Sequence, residues 1–335
     1  MAVPRRPATA WVDAATLAQL LTPADWLAGA RRAYRAYGLG ALPPAPLALP
    51  LRGGSVHVKA AATASVVVVK VNANLPDNPR RNGLPTIQGV AVAVDARDGR
   101  LRAVVDSGAL TAWRTAAATL VALRVLAHPP LRVAAIIGCG VQGRAHAALL
   151  AATPGLRELR LHDQVAGRAA ALARGLETSG SVRVRIAPDL DGATAGAHAI
   201  VCCTSSRRPY LRRAHVAPGC TVAAVGADHA HKRELHADLL ACATLVVDSR
   251  VQALAMGEWH HAAQAGHRPA EIGEILRGER RGRRRADEIV VFDSTGFGLQ
   301  DACAIERMLA RLGSRKSPGV QLASAGRRRR PRSFP

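Results

Sequence analysis

The sequence predicts an α/β protein of two parts, an α+β unit followed by a doubly wound parallel sheet. Three observations carry that expectation. An apolar run, Val133-Ala134-Ala135-Ile136-Ile137, ends in Gly138-Cys139-Gly140-Val141-Gln142-Gly143 and passes into an alanine-rich helical pattern from Arg144 to Ala152. From Leu131 onward short apolar strands alternate with helical stretches, the pattern of a parallel sheet covered on both faces. Before His128-Pro129-Pro130 the strands follow one another across turns, as antiparallel hairpins do.

Taken in order, residues 13–38 read as two helices. Asp13 is placed to cap the first, and Thr22-Pro23-Ala24-Asp25 to start the second with proline at its first position. Proline-rich Leu42 to Pro50 reads as an extended connector. The valine-rich stretches 55–59 and 65–71 read as strands, and 72–85, with its Pro, Asn and Gly, as a loop. Strands at 87–94 and 101–105 meet at an Asp98-Gly99 turn. A helix from Thr111 to Leu126 runs up to the His128-Pro129-Pro130 break, which sets a boundary between 1–128 and 129–296. Strands are then expected at 132–137, 157–162, 182–186, 198–203, 220–226, 244–248 and 288–292. A helix from Leu299 to Leu312 closes the fold. Residues 313–335 lack periodicity, end in an arginine run and read as a disordered tail.

The glycine stretch carries a specific chemistry. Gly138 permits the tight turn off the strand, Gly140 lets backbone approach a pyrophosphate, and Gly143 lets the helix pack on the strand. The N–H groups around Val141 and Gln142 then face that anion. Asp163 ends the next strand 20 residues past Gly143, where a carboxylate accepts ribose hydroxyls. This is a Rossmann dinucleotide-binding pattern. Asp163 should repel a 2′-phosphate, so NAD(H) is the preferred cofactor. Arg168 lies near enough to soften that preference and leave NADP(H) open.

Ligands of open α/β sheets lie beyond the carboxyl ends of the strands. Thr204 and Ser205, Val225 and Gly226, and Ser294 and Gly296 fall there and are assigned to the cofactor, with Thr115 from the preceding helix. Asp228 follows Val225-Gly226-Ala227 and faces the same region, either as a proton-transfer group or as a turn acid. Lys70 and Arg114 sit inside apolar stretches, where a charge must be paired or serve a ligand. Two such cations suit an α-carboxylate, arginine giving a bidentate grip, and an internal salt bridge is the alternative.

The net charge of +22 is partly local, in Arg280-Arg281-Gly282-Arg283-Arg284-Arg285 and Arg327 to Arg332, which read as a solvated loop and part of the tail. Few aromatics and no nucleic-acid motif argue against a nucleic-acid partner. Only Lys59, Lys70, Lys232 and Lys316 are lysines among 46 basic residues, so a lysine in an apolar strand calls for a chemical reason. The apolar runs are too short to cross a bilayer and no signal peptide is read, so neither a membrane nor export is expected. Six cysteines in apolar settings without a Cys-x-x-Cys pair suit a reducing cytoplasm. His229, His231, His236 and the His260-His261 pair lack companion acids or cysteines at metal-ligand spacing, and no metal is expected.

Six stretches in order resemble the ornithine cyclodeaminase/mu-crystallin family: Val69-Lys70-Val71-Asn72, residues 83–89, residues 110–117, the glycine loop, Val225-Gly226-Ala227-Asp228 with Lys232-Arg233-Glu234-Leu235, and Phe292 to Asp301. The resemblance implies a homodimer whose first domain, 1–128 completed by helix 297–312, is an α+β substrate-binding and dimerisation domain. It also implies substrate-carboxylate binding at Lys70 and Arg114, and proton transfer at Asp228, with Lys70 counted in the catalytic set. Two departures stand out. No Met-Pro-Ala element precedes the lysine strand, and the family's upstream arginine has no match, which leaves Arg52 or Lys59 as the third cation. What is expected is an NAD(P)-dependent enzyme acting at Cα of an amino or imino acid, by conversion of L-ornithine to L-proline plus ammonia or a close relative of that reaction. The alternatives are a ketimine or imino acid reductase, an alanine dehydrogenase-like oxidoreductase, or a crystallin-like protein that binds NADP(H) and a small ligand without turnover.

Overall fold

The computed structural model describes residues 9–40, 46–176, 182–262 and 268–314. Its first sheet has six strands: β1 (Ala10–Val12), β2 (Leu47–Leu51), β3 (Gly54–Ala62), β4 (Val66–Asn74), β5 (Ile87–Asp95) and β6 (Leu101–Asp106), in the order β1-β6-β5-β4-β3-β2. All neighbours are antiparallel except β1, which lies parallel on β6. Of the stretch expected as a connector, Leu47 to Pro50 belong to strand β2, with Pro50 opposite Ser55, and residues 42–45 lie outside the described residues. Proline is tolerated there because β2 is an edge strand whose outer side needs no ladder donor.

Helices α1 (Ala14–Leu20) and α2 (Pro23–Ala36) start where the caps predict. Asp13 accepts from Thr16 N–H, and Thr22 and Asp25 form a reciprocal capping box. A short α3 (Asn78–Arg81) lies inside the expected loop. Helix α4 (Ser107–Leu126) begins four residues before the expected Thr111, because Asp106 accepts the Ala109 N–H and caps it there. It is long and apolar enough to cross a membrane, yet most of it is buried against α2, the helix over 141–151 and the first sheet, as a core helix.

The second sheet contains β7 (Val133–Ile137), β8 (Glu158–His162), β9 (Arg183–Ile186), β10 (Ala199–Cys202), β11 (Thr221–Ala224), β12 (Thr244–Val247), β13 (Ala270–Glu271) and β14 (Val290–Asp293). All are parallel, in the order β13-β12-β14-β11-β10-β7-β8-β9. Alternate residues of β7 enter different cores: Ala134 and Ile136 join the cluster shared with the first sheet, Ala135 and Ile137 the one on the far face. That alternation explains the unbroken apolar run, since both faces are covered. The chain leaves β7 to one side through α5 (Val141–Ala151) into β8, and β10 lies on the other side. The order therefore reverses at β7, the place where such sheets open a crevice.

After helices α6 (Arg168–Leu176), α7 (Leu190–Thr194), α8 (Ala237–Cys242), α9 (Arg250–Ala255) and α10 (Ile272–Arg277), helix α11 (Gly298–Ser314) returns from the second sheet to pack on α2, β3 and β4. The expected tail beyond Ser314, with the second arginine run, lies outside the described residues. The first arginine run is not wholly solvated. Arg283 donates to Leu126 O, Cys220 O and Thr221 Oγ1, and so pins the end of α4 to β11. Cys242 is exposed, unlike Cys139, Cys202, Cys220 and Cys303, which are buried free thiols.

Candidate active site

The glycine loop has the shape its sequence implies. Gly138 turns with φ 99°, and a Cβ there would press on the Cys203 carbonyl at 2.9 Å. A Cβ on Gly143 would stand 2.0 Å from the Gly138 carbonyl, so the helix closes on the strand without room for a side chain. Gly140, by contrast, faces open space. It is the N-cap of α5 and offers no side-chain cap, so the first N–H groups of the helix point into that space, together with the positive end of its dipole. Asp163 borders the loop, accepting from Cys139 N–H at 2.7 Å and Val165 N–H at 2.7 Å. Each carboxylate oxygen keeps acceptor capacity for a hydroxyl. Arg168 opens α6 (Arg168–Leu176), exposed, a few residues on. An open cradle, unpaired N–H groups and a bordering carboxylate are what the adenosine and pyrophosphate of a dinucleotide require, so these residues fit the group.

The neighbouring strand ends are tied together by an acid that the sequence reading did not assign. Buried Glu234 accepts from Thr204 N–H, Thr204 Oγ1–H, Tyr210 O–H and Gly226 N–H, all between 2.7 and 2.9 Å. Thr204 and Gly226 are thus fixed at the ends of β10 and β11, and a Cβ on Gly226 would meet Thr204 O at 2.1 Å. Behind it Glu258 accepts the N–H groups of Glu234 and Leu235, and burial pushes its carboxyl up to about 9. Val225 is buried, and Ser205 lies beside Thr204 at the mouth. Thr115 is buried on α4, one turn from Thr119, which meets His146 of α5.

The first sheet brings its cations to this edge. Lys70 (2% exposed) and Arg114 (7% exposed) share Asp301 of α11: Lys70 Nζ lies 2.7 Å from one oxygen, Arg114 Nε 3.0 Å from the other. Arg114 Nη1 also donates to Gln300 Oε1 at 2.5 Å, and Lys70 donates to Thr111 Oγ1 at 3.2 Å. In this structure, then, the salt bridge foreseen as the alternative is formed. Burial pushes the Lys70 ammonium down to about 7 against the pull of Asp301, with Arg114 and Lys59 adding to the depression. Burial works to raise Asp301, but Lys70 and Arg114 hold it below the usual carboxylate range. Neither Asp301 nor Gln300 was singled out from sequence. The available signal was an acid beside an amide in the apolar start of α11.

Lys59 is the third cation. It pairs with Lys70 across β3 and β4, and its Nζ donates to Gly296 O at 2.7 Å. Arg52 does not join. It is exposed at the tip of the β2–β3 hairpin, and the five steps from Gly54 to Lys59 span roughly 17 Å at strand rise. Gly296 and Ser294, assigned to the cofactor from sequence, have other described partners. Gly296 has φ 70° and lies against Arg114, so that a Cβ would stand 2.4 Å from Nη1. Buried Asp248 accepts from Gly296 N–H, Thr295 Oγ1–H and Ser294 Oγ–H, which fixes this turn.

Asp228 follows β11 at the same edge. Its carboxylate accepts from Lys232 Nζ at 2.6 Å, and 45% of its side chain is exposed. The protein packed around it works to raise its pKa. The charge and hydrogen bond of Lys232, with Lys59 and His57, hold the group below the usual range. It is therefore ionised at neutral pH and able to take a proton. Among the described residues no three His, Cys, Asp or Glu side chains converge as metal ligands.

The sequence profile of the ornithine cyclodeaminase/mu-crystallin family matches residues 23–315. A Rhizobium meliloti (strain 1021) protein described as a dehydrogenase is 36% identical over 290 residues, covering 83% of this chain and 88% of that protein. The iminosuccinate reductase of Paracoccus denitrificans (strain Pd 1222) is 33% identical over 256 residues, covering 74% of this chain and 78% of that one. Among solved structures, an archaeal alanine dehydrogenase dimer with bound NAD superposes with a TM-score of 0.85 at 28% identity, covering 92% of this chain and 97% of that one.

Proposed function

The chain belongs to the ornithine cyclodeaminase/mu-crystallin family, and from that premise we propose that it is an NAD(P)-dependent enzyme that reduces an α-imino acid, or oxidises the matching α-amino acid, at Cα. One observation carries the proposal. Three cations of the first sheet region meet the carboxyl edge of the parallel sheet, Lys59 Nζ lying 2.7 Å from Gly296 O, beside an ionised Asp228 and near an open dinucleotide cradle. We assign substrate binding to a domain of 1–128 with 297–312, and the cofactor to 129–296. NAD(H) is preferred over NADP(H) because Asp163 borders the loop.

In this proposal the planar fork of Arg114 takes the substrate α-carboxylate and Lys70 takes its second oxygen. Asp301 and Gln300 hold both cations in place before substrate arrives, so little ordering remains to be done on binding. The bound nicotinamide cofactor supplies hydride exchange at Cα. Asp228, kept ionised by Lys232, takes a proton from the α-ammonium on oxidation, and its protonated form returns one to nitrogen on reduction. We favour reduction over cyclodeamination of ornithine, because the latter brings a second ammonium into a pocket that already holds Lys59 and Lys70.

Support for a homodimer comes from the first sheet. Its inner face is buried, but the outer face presents Leu47, Leu49, Val69 and Val71 exposed, in register across β2 to β4. An apolar sheet face of this kind calls for a partner surface.

A screen tests the function. Amino acids are offered with NAD+ or NADP+, and cyclic imines or 2-oxo acids plus ammonia with NADH or NADPH, following absorbance of the reduced cofactor. Turnover of an α-imino or α-amino acid is expected. Cofactor binding without turnover of any member contradicts the proposal.

A further inference from the structure

Lys59 and Lys70 are directly opposed across antiparallel β3 and β4, so both side chains leave the same face of the sheet. Like charges in that position repel, and nothing in the sheet requires them there. Lys70 is answered by Asp301, but Lys59 has no ion-pair partner among the described residues. Its ammonium rests on the neutral carbonyl oxygens of Gly296 at 2.7 Å and Thr295 at 3.5 Å, which hold the group without cancelling its charge. Arg114 lies against the same glycine. None of the acids in reach touches Lys59: Asp301 pairs with Lys70 and Arg114, Asp228 with Lys232, and Asp248, held by the three neutral donors of the Ser294–Gly296 turn, draws on Lys59 only from a distance.

Among the described residues Asp301 makes ion pairs with Lys70 and Arg114 alone, and an α-carboxylate held by those two would still leave Lys59 touching only neutral oxygens. A hydrocarbon side chain would leave a buried charge against carbon, which is costly, and an ammonium side chain would add a third like charge to the pair. We propose that the substrate bears a second acidic group on its side chain, and that Lys59 receives it. The chemical class is an α-imino dicarboxylic acid, or the amino acid related to it. This rests on the reading that the site takes an α-imino or α-amino acid. The reaction balances as for any imine: the C=N bond becomes C–N, the hydride electron pair from the reduced cofactor goes to Cα, and a proton goes to nitrogen. The crowding of cations is already felt by the protein. Burial first, then Arg114, lowers Lys59, and Lys59 in turn helps to depress Lys70.

The test uses the NADH-loaded protein and two kinds of ligand. Calorimetric titration compares succinate and glutarate with butanoate and pentanoate, which have the same chain lengths and one carboxylate. The parent should bind the dicarboxylates about 10- to 100-fold more tightly, the scale of one charge-assisted contact. Lys59→Met, which keeps the stem and loses the charge, should collapse that ratio, and Lys59→Arg should restore much of it. A ratio near one in the parent overturns the proposal, as does a Lys59→Met protein that retains the full ratio. If instead the ratio is large and depends on Lys59 while no amino or imino acid is turned over, the acidic pocket stands and the reaction reading fails. Turnover with 2-oxo dicarboxylates plus ammonia, exceeding that with the matching 2-oxo monocarboxylates, supports both.

Discussion

Lys70 and Arg114 share one counter-ion, and that sharing decides how each responds to change. Arg114→Lys keeps a charge beside Asp301 but loses the fork that reaches Gln300 and a carboxylate together, so substrate KM should rise by roughly 10- to 100-fold with NADH affinity unchanged. Steady-state kinetics and NADH fluorescence titration check this; parental kinetics would make Arg114 purely structural. Lys70, lowered to about 7, gives carboxylate binding a pH dependence of defined sign. The charged form binds, and it is lost as pH rises through 7, so Kd should increase by up to about tenfold per unit above that point. Asp301 stays ionised throughout, and Lys59 is depressed in the same direction. Lys70→Met should flatten the profile. Asp228→Asn keeps the shape but cannot take the proton, so kcat should fall by roughly 10²- to 10⁴-fold with little change in Tm. Lys70, Arg114 and Asp228 were legible in the sequence because two are charges in apolar runs and one ends a strand. Asp301 was not, since its partners lie 231 and 187 residues away and only the fold joins them. The choice between Arg52 and Lys59 likewise needed the β3–β4 register.

The glycine loop allows two glycines of one motif to be separated by experiment. Gly140 faces open space at a negative φ, so Gly140→Ala should leave Tm near the parent and weaken NADH binding by filling the cradle. Gly143→Ala drives a Cβ to 2.0 Å from the Gly138 carbonyl, and backbone must move. A loss of about 1–3 kcal/mol is expected, visible as a lower Tm in a thermal melt before any cofactor is added. Similar melts for the two variants would contradict this assignment. Elements such as this loop, the capped starts of α1 and α2 and the buried strand β7 were readable because their causes are local. β1 and β2 were missed for the opposite reason. Three residues on β6 and a proline-bearing edge strand become strands only by pairing with sequence elsewhere. The early start of α4 follows from an Asp106 cap that the valine-rich strand before it concealed.

At the scale of the whole molecule, the two sheets divide the labour. One offers an open groove with unpaired N–H groups, the other brings buried charge to its edge, and α11 carries Asp301 back between them. The outer face of the first sheet is left with an apolar surface that a second copy of the chain would cover. If the proposed homodimer forms through this face, the parent should sediment as a dimer and Val69→Asp, placed in the middle of the face, should shift it toward monomer in analytical ultracentrifugation; a monomeric parent or an unchanged profile would contradict the assignment. A central helix as apolar as α4 can be taken for a membrane span from composition alone. Its packing and its buried Arg114 give it the role of an internal wall of the site.

The claim at the centre is that hydride is exchanged at the Cα of an imino or amino acid. The most direct measurement supplies NADH deuterated at the transferable position with a 2-oxo acid and ammonia, and locates the label in the product by mass spectrometry. One deuterium is expected on Cα of the resulting amino acid. Product labelled as a 2-hydroxy acid, or amino acid formed without deuterium at Cα, would contradict it.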